Sequence, residues 1–296
     1  MRALRIRSHA WWCLCAVAWL LCAPAESAAQ DKPIGEAPEE RDADEIFLRG
    51  QRVLLGPGDF VLDFGQFYSR SDDLRLAAVD NAVSLATLER TMLTSVLVGR
   101  VGIGRETEVF VATSFTRQTD RLVADATELA SDSRNARGGG GVGIRHTFLR
   151  EGSGRPDIIG TFDAQIPTED NPYAVGGGLV FVKSVDPVVL FSGVNYHRTL
   201  ALDRSDGTRL EPANSLDISI GYALGLNDSL AISTVASGAF IRATVDGAAR
   251  RADVFSLRLA LTSALARRLF IEPSVSFGLS GPGQSFTMGV TIPYAF

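Results

Sequence analysis

His146 and His197 are the only imidazoles beyond residue 29, and all three cysteines, Cys13, Cys15 and Cys22, precede it. Nucleophilic chemistry would therefore fall to a serine or threonine hydroxyl activated by one of two histidines. Serines are plentiful, but none stands in the strand-to-helix elbow that exposes a hydrolase nucleophile. An outer-membrane hydrolase with His197 as base, beside Tyr196 and Arg198 near the outer end of a strand, competes with the plainer reading of a rim histidine. No catalytic residue is assigned, and no enzymatic activity is expected. No His, Cys, Asp or Glu spacing suits a metal. Gly138–Gly141 precede neither a lysine nor a helix, as a phosphate loop requires, so no cofactor is expected. A formal charge of −5 and a pI near 5.3 argue against nucleic-acid binding, which needs clustered Lys and Arg.

A second kind of chemistry is carried by polar residues set singly into apolar alternation: Asp63, Arg145, Asp163, Gln165, Asn195, Asp217, Arg258 and Glu272. On the inner face of a barrel such groups line a permeation path and set ion or solute preference. Alternatively, acids and arginines pair across the lumen and close it. The residues alone leave both open.

The elements that must position them read with period two. Phe286, Met288, Val290, Ile292, Tyr294 and Phe296 alternate with Ser285, Thr287, Gly289, Thr291, Pro293 and Ala295. Leu216, Ile218, Ile220, Tyr222 and Leu224 alternate with Asp217, Ser219, Gly221 and Ala223, and similar runs occupy 255–262 and 269–279. Each run is about ten residues, the length a tilted strand needs to cross a bilayer, whereas strands of soluble sandwiches average nearer five or six. Turns between runs predict twelve strands near 58–71, 87–102, 105–118, 137–150, 156–167, 171–184, 187–201, 213–225, 228–245, 252–265, 268–280 and 285–296. The fold class is thus all-β, an antiparallel transmembrane β-barrel. Short links at 103–104, 151–155, 185–186, 226–227 and 266–267 read as periplasmic turns, and longer polar connections such as 119–136 and 202–212 as extracellular loops. A soluble lipocalin-like or sandwich fold, with its apolar stripes inside, is the competing reading. No run after residue 29 approaches the roughly 18 apolar residues of a spanning helix.

The amino terminus reads as an address. Arg2, Arg5 and Arg7 precede an apolar run from Ala10 to Ala23, and Ser27-Ala28-Ala29 offers small residues for cleavage after Ala29. Residues 1–29 are therefore expected to be a signal peptide; a membrane anchor is the alternative, although the run is short for one. Cleavage removes every Cys and Trp, so no disulfide is expected in the exported chain. Residues 30–57 form an acidic leader. Within it Ile46, Phe47, Leu48, Val53, Leu54 and Leu55 surround Arg49, Gln51 and Arg52, a candidate plug or periplasmic contact helix in which Phe47, Arg49 and Arg52 would act. A merely packed or solvated leader is the alternative.

Leu54-Leu55-Gly56-Pro57-Gly58 leading into Phe60–Gly65, with Val101-Gly102-Ile103-Gly104-Arg105-Glu106-Thr107-Glu108-Val109, resembles barrels of the MetA-pathway of phenol degradation family, whose relatives include exporters of functional amyloid subunits. Tyr294 and Phe296 resemble the terminal aromatic signal read by the barrel insertion machinery. The resemblance covers most of 50–296 and implies an outer-membrane channel or transporter for small, hydrophobic or aromatic solutes, with a non-conducting structural or secretion-partner barrel as the alternative. The expected partners are outer-membrane lipid, the insertion machinery and a small-molecule solute.

Overall fold

Lipid offers no partner to backbone N–H and C=O groups, so a β-chain that crosses it must close its sheet on itself. The computed structural model describes residues 54–296 apart from 80–81, 125–126, 153, 169–171, 204–208, 228, 246–247 and 281–283. The signal segment and the plug candidates Phe47, Arg49 and Arg52 lie outside the described residues. The strands are β1 (Phe60–Val79), β2 (Ala82–Gly104), β3 (Thr107–Ala124), β4 (Thr127–Arg137), β5 (Gly141–Leu149), β6 (Asp157–Gln165), β7 (Ala174–Val185), β8 (Val188–Thr199), β9 (Leu202–Asp203), β10 (Arg209–Leu210), β11 (Ala213–Asn227), β12 (Leu230–Val245), β13 (Ala248–Ala266), β14 (Leu269–Ser280) and β15 (Gln284–Ala295). Barrel neighbours pair antiparallel, and β1 pairs both β2 and β15, which closes the ring.

β4 and β5 lie end to end along one edge of β3, β4 on Phe115–Ala124 and β5 on Thr107–Ala112, so together they make one barrel strand. The short β9–β10 hairpin stands apart from the ring. The barrel therefore has the twelve strands expected. Gly138–Gly140 carry the chain from β4 to β5: Gly138 N–H donates to the Ser114 carbonyl and Ile166 N–H to that of Gly140. A Cβ on Gly139 would overlap the Ile166 carbonyl, so this crossing needs glycine.

Strand limits depart from expectation on the side away from the termini. Residues 72–86 and 119–136, read as connections, are largely strand: β1 and β2 stay paired out to Val79↔Ala82, and β3 and β4 out to Ala124↔Thr127. Nearly every residue of β4 is exposed, and β1 has no β15 partner beyond Asp72↔Gln284. The paired backbone thus continues past the barrel wall as a four-stranded blade. Both faces of β4 meet water, so the apolar alternation that reveals a half-buried strand is absent there.

One stripe of the wall is apolar and exposed. It includes Phe64, Leu97, Val111, Ile144, Phe162, Leu179, Ile218, Ile220, Leu259 and Phe277. These ten side chains are 38–66% exposed, so leaving them in water forgoes about 7–14 kcal/mol of burial, as much as the roughly 5–15 kcal/mol that holds a typical protein folded. This face therefore belongs against lipid. From Leu216 to Leu224, β11 rises about 27 Å along its axis, or about 20 Å once tilted, close to the roughly 25 Å apolar band of such barrels. At the end carrying the termini, Phe296 N–H donates to the Phe60 carbonyl at 3.0 Å, and the Phe296 ring lies 5.0 Å from that of Phe60 and 4.8 Å from that of Tyr294.

Candidate functional site

Side chains alternate faces along a strand, so the register carries one stripe around the whole ring. Asp63 stands opposite Val98, Arg100 opposite Phe110 and Glu108 opposite Arg145. Asp163 then stands between Gly143 and Gly176, and Asn195 between Gly178 and Asp217. The stripe passes on through Ala239, Arg258, Ser276, Glu272 and Thr291 and returns to Gly65, two residues from Asp63. All eight polar residues singled out from the sequence thus stand on the face opposite the lipid stripe. They are not gathered at one centre.

They meet along the wall rather than across the lumen. Arg258 Nη2 lies 2.7 Å from Glu272 Oε1, and Thr262 Oγ1 donates to Glu272 Oε2 at 3.2 Å. Thr161 Oγ1 donates to Asn195 Oδ1 at 3.3 Å, and Ser215 Oγ to Asp217 Oδ2 at 2.6 Å. Asp163 Oδ2 lies 3.6 Å from His197 Nδ1. His197, read from sequence as a rim residue, therefore stands on the lumen stripe against a carboxylate. His146 stands on the outward face, with its ring edge-on to Phe148 at 5.1 Å. Gln165 closes β6 beside Gly141 at the loop end.

At the terminal end four charges interlock. Arg100 Nε donates to Asp63 Oδ2 at 3.0 Å, Arg100 Nη1 lies 3.8 Å from Glu108 Oε2, and Arg145 Nη1 lies 3.3 Å from Glu108 Oε1. The Arg145 guanidinium also sits 4.9 Å over the Phe110 ring, a cation–π contact. Glu108 is wholly buried. Two acids offset two arginines there, the condition under which charges persist out of water.

The amino-terminal chain enters this cluster. Leu55 is buried and its N–H donates to Glu108 Oε2 at 3.2 Å. Leu54 packs against Ile159, Val182 and Val189, inward residues of β6, β7 and β8. Those strands are remote from β1 around the ring, so residues 54–58 reach inward over the lumen before joining the wall. The entry is fixed by Gly58 N–H donating to Gly102 O at 2.8 Å and Gly102 N–H to Asp59 O at 3.0 Å. A Cβ on Gly102 would overlap the Gly56 carbonyl, and Gly58 has φ +84°, so both positions require glycine.

Arg100 and Glu108 were absent from the sequence-derived site, whereas Leu54 and Leu55 were read as part of the candidate plug segment. Alternation with Val109 and Val101 places Glu108 and Arg100 inward, so a signal existed. Their meeting depends on the irregular register between Gly102 and Gly104, which sequence periodicity does not reveal.

No protein-family model matches this chain. Its fold is similar to that of an outer membrane channel from Pseudomonas putida, with a TM-score of 0.60 and 12% identity over 83% of this chain and 98% of that one. It is also similar to the translocator domain of the autotransporter NalP from Neisseria meningitidis, at 0.52 and 14% over 82% and 90%, and to the NanC porin, at 0.51 and 6% over 79% and 98%. These likenesses establish the fold, an outer-membrane type of twelve-stranded barrel.

Proposed function

We propose that this chain is an outer-membrane channel for small solutes, hydrophobic and aromatic ones included, narrowed at its periplasmic end by Leu54 and Leu55. The observation that carries the reading is a closed barrel with an apolar exterior and a lumen stripe of Asp63, Arg145, Asp163, Gln165, Asn195, Asp217, Arg258 and Glu272. Short turns share one end with both chain termini, the periplasmic side of such barrels. The leader acts as a plug on this reading. Asp63 Oδ1 is buried without a hydrogen-bond partner among the described residues, an unmet acceptor at the end where Leu54 and Leu55 enter the lumen. Tyr294 and Phe296 serve the insertion machinery, and residues 1–29 direct export. The affinity with phenol-degradation barrels rests on the glycine-bounded segments at 54–65 and 101–109.

A second reading, a non-conducting structural or secretion-partner barrel, is favoured by one observation: the periplasmic end is occupied and its charges are balanced. Single-channel recording in planar bilayers separates the two. Discrete conductance steps from the full chain support a channel; a silent bilayer after verified insertion supports the second reading.

A further inference from the structure

The lipid-facing stripe ends, on the side away from the termini, in a row of arginines. Register places Arg198 of β8 beside Asn214 of β11, Asn214 beside Arg242 of β12, and Arg242 beside Arg251 of β13. The row beneath is Tyr196, Leu216, Phe240 and Asp253, and below that the stripe is apolar through Ile218 and Phe255. The three arginines thus stand at the outer edge of the apolar band and point away from the lumen, and all three are exposed.

Their charge is poorly compensated. Arg251 is held by Asp253, Nε to Oδ1 at 3.0 Å and Nη2 to Oδ2 at 2.8 Å. Arg198 and Arg242 have no carboxylate within ion-pair distance among the described residues. Like charges directly opposite on adjacent strands destabilise a sheet, yet Arg242 and Arg251 are so placed, at an interface where low dielectric strengthens repulsion. On the outward face of the blade, by contrast, Arg70 is matched by Asp72 and Glu89. Among the described residues, Arg198 and Arg242, without a carboxylate partner, and Arg251, paired with Asp253, thus share one level of the lipid face of a chain with net charge −5. The surface there is also concave. β12 and β13 run on past the start of β11, and a cavity of about 340 Å³ opens beside Pro212, lined by Asn214, Arg242 and Arg251.

We propose that this row is a binding site for the phosphorylated headgroup of an outer-leaflet glycolipid, whose acyl chains lie down the stripe of Leu216, Ile218 and Phe255. The guanidinium fork donates paired N–H groups to phosphate oxygens, and one anion between Arg242 and Arg251 relieves their repulsion. Adjacent strands are about 4.8 Å apart, so the row spans about 14 Å from Arg198 to Arg251, room for a headgroup with more than one phosphate. The site rests on the membrane reading of the barrel.

The test uses the full chain purified in non-ionic detergent, with heat-modifiable gel migration confirming a folded barrel for every variant. The probes are diphosphoryl lipid A, monophosphoryl lipid A, phosphatidylcholine and inorganic phosphate, with occupancy read by native mass spectrometry. Diphosphoryl lipid A is expected to bind the wild type at least tenfold more tightly than the Arg198→Gln/Arg242→Gln double variant, and an Arg70→Gln control is expected to bind like the wild type. Monophosphoryl lipid A should bind more weakly. Equal binding of diphosphoryl lipid A by the double variant, equal retention of phosphatidylcholine, or equal displacement by inorganic phosphate overturns the glycolipid site. A wild type that is soluble without detergent and not heat-modifiable overturns the membrane reading itself, and the site with it.

Discussion

Replacing Glu108 with Gln tests the plug at its anchor. The side chain keeps its length and one carbonyl oxygen, so Leu55 N–H still has an acceptor, but the acceptor is neutral and the charge balance with Arg100 and Arg145 is lost. A hydrogen bond to a charged group contributes about 1.5–3 kcal/mol and a neutral one about 0.5–1.5 kcal/mol, so the substitution weakens the anchor by about 1–1.5 kcal/mol. At about 1.4 kcal/mol per tenfold, the fraction of time the segment is released rises about five- to tenfold. Leu54→Ala attacks the same segment from its other side. Leu54 is partly buried against Ile159, Val182 and Val189, so its truncation costs less than the about 2–5 kcal/mol of a fully buried leucine; at about 1–2 kcal/mol, release rises about five- to thirtyfold. The assay is single-channel recording, scoring open-state occupancy and the size of the largest step. Both variants are expected to raise occupancy of a step already present in the wild type, with unchanged size. Wild-type occupancy in both variants, with heat-modifiable migration intact, would refute the assignment of Leu54–Leu55 as the narrowing element.

The wall pair of Arg258 and Glu272 is expected to act in opposite senses: Arg258→Gln leaves an unpaired carboxylate and shifts reversal potentials toward cations, and Glu272→Gln shifts them toward anions, each by a few-fold in permeability ratio. Reversal potentials unchanged in both variants would remove the pair from the path. Deletion of residues 30–55 is expected to leave an inserted barrel with larger conductance and greater antibiotic leak, measured by bilayer recording and growth inhibition; failure to insert would assign the leader to the folding core. At the 150–157 turn, burial raises the Glu151 carboxyl pKa, but hydrogen bonds from Lys183 and Ser184 outweigh it and leave the group below its ordinary value. Its stabilisation is present above the ordinary carboxylate range and lost as pH falls through the depressed value. The difference in melting midpoint between the wild type and Glu151→Gln should therefore narrow on acidification and be flat near neutrality.

The barrel was legible where a strand separates two unlike media. In β11 and β15 one face meets lipid and the other a polar lumen, so Ile218 alternates with Ser219 and Met288 with Gly289, and period two survives across the wall. It was not legible in β4 of the blade, where Glu128, Asp132 and Arg134 stand among residues exposed on both faces and backbone pairing to β3, with the Ser133 hydroxyl bonded to Thr119 and Gln118, holds the strand. The same parity identified the inward position of all eight polar residues. It did not identify which meet: Arg145 finds Glu108 through the β3–β5 register, and Asp163 finds His197 across Gly176 of β7. Leu54 and Leu55 read as part of an apolar leader because their burial depends on β6, β7 and β8, which lie far along the chain.

The arrangement of charge along the lumen bears on what passes. At the periplasmic end Asp63 and Glu108 are offset by Arg100 and Arg145, and Leu54, Leu55, Ile159, Val182 and Val189 supply apolar surface beside them. On the proposed channel reading, a permeating ion meets no net fixed charge there to replace its hydration, and an apolar constriction excludes ions by dewetting. A neutral, partly apolar solute loses little hydration and gains contact with the same side chains. Toward the loops Asp163 and Asp217 face the lumen, with His197 3.6 Å from Asp163 and the Ser215 hydroxyl on Asp217. Ion flux through the full chain should then be small and limited at the periplasmic end, whereas uptake of an uncharged aromatic into proteoliposomes should exceed it. Leu54→Ser, which wets the constriction, should raise ion conductance more than aromatic uptake. An equal rise in both would place the barrier outside the apolar constriction.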